Sequence, residues 1–327
     1  MEGGYAPTKS NAWPSSALSK WYDGYSHMFI DSHSHIFTDR IVKNVRSRPD
    51  MVYALKLNTE DAWERLSPIA LQESAESNGV DLCVLLPTAS PDRVRAENDR
   101  FIGWTRDLTR IRTLGTLHPA MEGLRDEISR IYDLGINGFK LSSFSQRFDL
   151  LSPEGESMLA AVEDLGSCLD ARPIVVFDTF MAADVYFGAA REHITTPAKL
   201  TEITRRHPGI NVVCAHMGGL LGDFDEVRRD LVPAENLYLD TSNATHTFTE
   251  DQLVVLFRVH GASHILFGTD WPWFLHGAEK EKVLSLLSKA GFNGQEQAAV
   301  LGENAARLLG LCDTGHVQER KMSCVAR

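Results

Sequence analysis

Short apolar runs alternate along this chain with longer stretches whose apolar residues recur every three or four positions. The runs cover residues 28–35, 80–87, 111–119, 137–142, 173–178, 210–216, 237–241 and 264–270. Their near-continuous Val, Ile, Leu and Phe content predicts strands buried on both faces, as in a parallel sheet. Helical periodicity fills the intervals at 68–79, 91–108, 121–134, 154–169, 197–207, 223–231 and 250–260, with 279–290 and 296–309 after the last strand. The punctuation agrees. Pro87 and Pro119 close two strands, and Asn78-Gly79, Gly135 and Pro208-Gly209 stop three helices. Eight strand–helix repeats over about 280 residues predict an α/β chain folded as a single (β/α)8 TIM barrel. An open doubly wound sheet is the rival, but no Gly-x-Gly-x-x-Gly follows the first strand.

Composition narrows the partners. Lys and Arg number 33 against 44 Asp and Glu, a formal net charge of −11, which argues against nucleic acid or an anionic membrane. Cys83, Cys168, Cys214, Cys312 and Cys324 are odd in number, widely spaced and free of any Cys-x-x-Cys, which suits a reducing, cytoplasmic compartment. No apolar run approaches the roughly 20 residues of a membrane helix, and the N-terminus lacks the basic and apolar regions of a secretory leader. Residues 1–27, rich in Ser, Gly, Pro and aromatics without periodicity, read as an N-terminal arm. Residues 28–312 read as the barrel, and 313–327 as a polar, flexible tail.

In such a barrel the chemistry collects where the strands end. The first strand ends in Asp31-Ser32-His33-Ser34-His35, and strand alternation sends His33 and His35 to one side. An isolated His-x-His is weak evidence. The other strand ends add His118, Lys140, Asp178, His216, Asp240 and Asp270, and that convergence carries the metal reading. His33, His35 and Asp270 supply two imidazoles and a carboxylate with room for water, the composition of a catalytic zinc site. Such an ion brings the pKa of water from ~15.7 to around 7–9. His216, across the mouth, is the expected general base or acid. Blander readings suit the rest: His207 and His264 begin strands and are structural, His118 is a helix or loop contact, and Asp240 holds a neighbouring loop.

The motifs resemble a family. Asp31-x-His33-x-His35 is similar to the opening motif of the amidohydrolase superfamily. Gly138-Phe139-Lys140-Leu141, His216-Met217-Gly218-Gly219 and Phe267-Gly268-Thr269-Asp270-Trp271-Pro272 resemble its amidohydrolase-related branch, as does 301–309 in the last helix. That branch includes aminocarboxymuconate-semialdehyde decarboxylase, the resorcylate decarboxylases and several lactonases. The resemblance implies that His33, His35 and Asp270 bind one divalent ion, zinc with manganese as the alternative, and that His216 is catalytic. One departure stands out. The family carries a ligand histidine in a Pro-x-x-x-His pattern at the fifth strand, and here Pro173 is followed at that spacing by Phe177, then Asp178. Regular alternation with Phe177 pointing inward would turn Asp178 away. A one-residue bulge would bring Asp178 in as a replacement ligand, and this second register is the favoured one.

Around these residues, Lys140 and Arg147 are expected to meet a substrate carboxylate, or Lys140 a nearby Asp. Phe144, Phe177, Phe180, Trp271 and Trp273 offer walls for a flat small molecule. The expected activity is metal-dependent hydrolysis of a small cyclic ester, lactone or amide, with Asp270 and His216 managing protons. The alternatives are non-oxidative decarboxylation of an aromatic or muconate-type acid, and a catalytically impaired barrel acting as a binding module. A homodimer is expected by analogy with the branch.

Overall fold

The computed structural model describes residues 28–168 and 172–311. The expected arm at 1–27 and tail at 313–327 lie outside these residues. Nine strand segments appear: β1 (Ile30–Ser34), β2 (Leu82–Leu85), β3 (Ile111–Thr113), β4 (Gly115–Thr116), β5 (Gly138–Leu141), β6 (Ile174–Phe177), β7 (Asn211–Cys214), β8 (Leu237–Asp240) and β9 (Ile265–Leu266). They pair in parallel in chain order within two sheets, β1 to β3 and β4 to β9. The sheets join at both seams. β3 and β4 are one strand broken at Leu114, whose N–H donates to Leu85 O at 3.0 Å. Between β9 and β1, Ser32 N–H donates to Phe267 O (2.9 Å), Asp270 N–H to His33 O (2.9 Å) and His35 N–H to Trp271 O (2.8 Å). The nine segments are thus the eight expected strands, closed into a (β/α)8 barrel.

Alternation sorts the strand residues into two layers. Ile30, Leu82, Val84, Ile174, Val176, Val213, Tyr238 and Leu266 fill the barrel, plugged from below by Ala305, Ala306 and Leu308. Their neighbours Cys83, Leu85, Phe139, Leu141, Val175, Phe177, Val212, Cys214, Leu237, Leu239 and Ile265 face the helices. Both faces bury apolar surface, which is why the strand runs read as continuous rather than alternating.

The helices start where local chemistry dictates. Ser67 and Thr196 accept from the N–H groups of Ala70 and Lys199, each with proline at the next position. Thr249 and Gln252 form a capping box that opens the helix Glu250–His260. The final stretch contains a π-helical turn at Ala299–Glu303 between Gly294–Ala298 and Asn304–Leu308. Between β1 and the helix Pro68–Ser77 stand two helices that the periodicity reading passed over, Asp39–Arg46 and Pro49–Ala54. They roof the mouth of the barrel. No helix among the described residues is long and apolar enough to cross a membrane.

Candidate metal centre

β1 carries a register irregularity between Asp31 and Ser34. Ile30 lies inside the barrel, so strict alternation would point His33 at the helices. The irregularity re-aims it. His33 Nε2 then stands 3.0 Å from His35 Nε2. Asp270 Oδ1 lies 3.9 Å from His33 Nε2 and 3.5 Å from His35 Nε2. Gly268 makes the approach of β9 feasible, because a Cβ there would sit 2.8 Å from His33 Cβ.

Hydrogen-bond chemistry assigns the imidazole protons. The Asp240 carboxylate only accepts, so His33 Nδ1–H donates to Asp240 Oδ2 at 2.8 Å. Likewise His35 Nδ1–H donates to Leu86 O at 3.2 Å, and His216 Nδ1–H to Ser242 O at 2.9 Å. Ser242 Oγ, 3.0 Å from His33 Nδ1 and 2.9 Å from His216 Nδ1, accepts from both and donates to Asp240 Oδ1. These Nδ1–H bonds leave Nε2 of His33, His35 and His216 as the nitrogen turned to the site.

Two facing lone pairs 3.0 Å apart beside a buried carboxylate repel unless a cation lies between them. Donors at tetrahedral angles around a zinc-sized ion stand about 3.3 Å apart, close to the spacings here. The residues fit a divalent ion. Their charge states fit as well. Burial, then the charges of His33, Lys140 and His216, hold His35 well below the usual histidine range, so it is neutral and ready to ligate. Burial pushes the Asp270 carboxyl up, a cost that a neighbouring cation offsets. Asp240 also feels burial, but the His33 charge and hydrogen bond, followed by His216, pull it far below the ordinary carboxylate range. His216 is lowered by burial and by His33, against the pull of Asp270, Asp178 and Asp240.

Above this cluster opens a cavity of about 860 Å³ whose lining includes His35, Lys140, Asp178, His216 and Asp270. Phe144, Phe180, Trp273 and Arg147 line it too. Four expectations need correction. Phe177 packs in the outer layer and is fully buried there, away from the cavity. Asp178 does face the cavity, but by plain alternation: β6 pairs without a bulge on either side, with Ile174 and Val176 inside. It accepts from Phe180 N–H at 3.0 Å and joins none of the metal-ligand clusters among the described residues. Trp271 lies behind the site, donating Nε1–H to Arg65 O at 3.1 Å and stacking on His276. Among the described residues, Lys140 pairs with no Asp.

His118, His207 and His264 are tied up elsewhere. His118 Nε2–H donates to Gln146 O at 2.9 Å, His207 is held by Glu156 and Glu163, and His264 packs on Tyr238. Asp240 holds a loop as expected, accepting from Ser242 N–H, but its main partner is His33. Sequence reasoning missed Ser242, whose signal was the polar run Asp240-Thr241-Ser242-Asn243 leaving a strand end.

Comparisons with known proteins bear on the fold and the family. No curated protein matches. Among solved structures, 5-carboxyvanillate decarboxylase from Sphingomonas paucimobilis aligns with a TM-score of 0.60 at 18% identity, covering 87% of this chain and 99% of that one. A probable 2-pyrone-4,6-dicarboxylic acid hydrolase from Acinetobacter baumannii aligns at 0.57 and 17%, covering 86% and 99%. Dihydroxybenzoic acid decarboxylase from Polaromonas sp. JS666, with bound manganese and 2-nitroresorcinol, aligns at 0.62 and 16%, covering 88% and 98%. At such identities these likenesses speak for the fold. The model of the amidohydrolase family matches residues 30–311, nearly the whole barrel. This chain belongs to the amidohydrolase family.

Proposed function

We propose that the protein is a metal-dependent hydrolase that opens a small cyclic ester, lactone or amide. The observation that carries this reading is the convergence of His33 Nε2, His35 Nε2 and Asp270 Oδ1 beside a His216 whose Nδ1–H is committed to Ser242 O. His33, His35 and Asp270 would hold the ion. When bound, a divalent metal supplies Lewis acidity, polarising a carbonyl and making water a nucleophile near neutral pH. His216, neutral with its free Nε2 on the cavity side, takes the proton of the attacking water and returns it to the departing oxygen or nitrogen. Phe144, Phe180 and Trp273 wall the cavity and suit a flat ring.

The test has two arms. Protein purified without chelator is expected to carry about one equivalent of metal, and less than about 0.2 equivalents would end the metal reading. A panel of lactones and cyclic amides is expected to yield a turned-over substrate. His216→Asn should lower kcat/KM on it by about 100-fold or more. Turnover that survives this change removes His216 from the chemistry.

A second reading, decarboxylation of a ring acid, draws support from Lys140, whose Nζ has no hydrogen-bond partner among the described residues and lines the cavity, and from decarboxylases among the similar structures. Release of carbon dioxide from hydroxybenzoic acids, without ring-ester hydrolysis, would replace the first reading with this one.

A further inference from the structure

Buried polar groups in folded proteins are nearly always paired, because an unpaired one bears its full desolvation cost. Here four such atoms cluster. Lys140 Nζ, Ser142 Oγ and both side-chain amide atoms of Asn243 are buried without a hydrogen-bond partner among the described residues, and all three residues line the cavity above the metal centre. They are 1%, 2% and 1% exposed. Lys140 is the sharpest case. Asp178 and Asp270 line the same cavity, yet its ammonium pairs with neither. A methionine would fill the position without burying a charge.

The backbone explains the grouping. Lys140 and Ser142 are two positions apart at the end of β5, so alternation gives them the same face, while Phe139 and Leu141 turn to the helices. Asn243 follows Ser242, the residue that fixes His216, and adopts a left-handed backbone (φ 53). Phe144, two residues beyond Ser142, meets Phe180 edge-on at 5.7 Å. One cation, one hydroxyl and one amide thus border an aromatic slot.

We propose that Lys140, Ser142 and Asn243 are the specificity-determining residues of this cavity. Lys140 and Ser142 hold a carboxylate on the substrate ring, and Asn243 meets a neighbouring ring oxygen. This deepens the functional reading, since it rests on the cavity being the substrate site, but it does not depend on which bond is broken.

The test is calorimetric binding of benzoate, 2-hydroxybenzoate and the neutral isostere benzamide to the full chain, with and without one equivalent of Zn2+. The wild type is expected to prefer the carboxylates over benzamide by about 10-fold or more. Lys140→Met should weaken the carboxylates by about 10- to 100-fold, leave benzamide unchanged, and keep or raise Tm. Ser142→Ala and Asn243→Gly, the latter preserving the left-handed backbone, should each weaken 2-hydroxybenzoate by about 3- to 10-fold. The proposal is overturned if the wild type binds none of the probes or prefers benzamide. It is equally overturned if Lys140→Met binds benzoate as well as the wild type, or if that variant loses Tm as a structural residue would. Loss of benzoate affinity in Lys140→Met without any ring-opening turnover leaves the subsite standing and removes only the hydrolase reading. Turnover of neutral lactones that Lys140→Met leaves untouched does the reverse.

Discussion

Asp240 shows how much one buried carboxylate can organise. It accepts from His33 Nδ1–H, from the backbone N–H groups of His216 and Ser242, and from Ser242 Oγ. It therefore fixes the tautomer of His33 and the placement of His216 through the same two oxygens. Asp240→Asn keeps the shape but exchanges an acceptor for a donor toward His33. Metal affinity, measured by chelator competition, should fall about 10- to 100-fold, with the overall fold retained by circular dichroism. An unchanged affinity would reduce Asp240 to a loop anchor. Backbone strain gathers at the same place. Arg147, His216, Asn243 and Asp270 are all non-glycine residues with positive φ, and all line the cavity. Left-handed backbone costs roughly 1–2 kcal/mol per residue, and it is held here around the mouth of the barrel.

Among the elements, the β9–β1 seam decides whether the donors meet. Asp31, fully buried, accepts from the N–H groups of His33 and Thr269, from the hydroxyls of Ser34 and Thr269, and from His276 Nε2–H. It clamps the strand that carries the imidazoles to the one that carries Asp270. Gly268 lets the two approach. Gly268→Ala would drive a methyl to 2.8 Å from His33 Cβ, so His33 must shift. The expected outcome is a loss of about 1–3 kcal/mol in stability, together with loss of bound metal. Normal metal content in a folded variant would show that the seam tolerates the displacement. The helix Glu250–His260 offers a separate check on local reasoning: Thr249→Ala removes its capping box and should cost about 1 kcal/mol by denaturant titration, with no change at the metal site.

Over the whole molecule, burial ties stability to pH. His260 ends that helix at 6% exposure, and burial, followed by the charge of His264, lowers it to about 4. The folded state favours the neutral ring. Its contribution is complete above the unfolded pKa near 6.5 and is lost as pH falls from there to about 4, because the unfolded chain takes up the proton first. The window corresponds to about 3 kcal/mol at most. Unfolding free energies measured between pH 7 and 4 should fall less steeply for His260→Gln than for the wild type. Equal slopes would show that His260 does not couple folding to protons.

The strand count and the closed barrel were legible in the sequence, and so was the convergence of His33, His35, His216 and Asp270 at the strand ends. Buried parallel strands leave apolar runs, and a donor side chain at a strand end stays visible in one dimension. The facing of a strand was not legible where both faces are apolar. Ile174-Val175-Val176-Phe177 reads the same in either phase, so only packing decided that Phe177 meets the helices and Asp178 the cavity. The bulge expected at β6 is absent there, and a register irregularity occurs in β1 instead. Which polar groups are paired is also a tertiary fact. Asp240 and Ser242 become the brace of two histidines, and Lys140 has no hydrogen-bond partner among the described residues, because hydrogen bonds between strands far apart in the chain depend on where the barrel brings them.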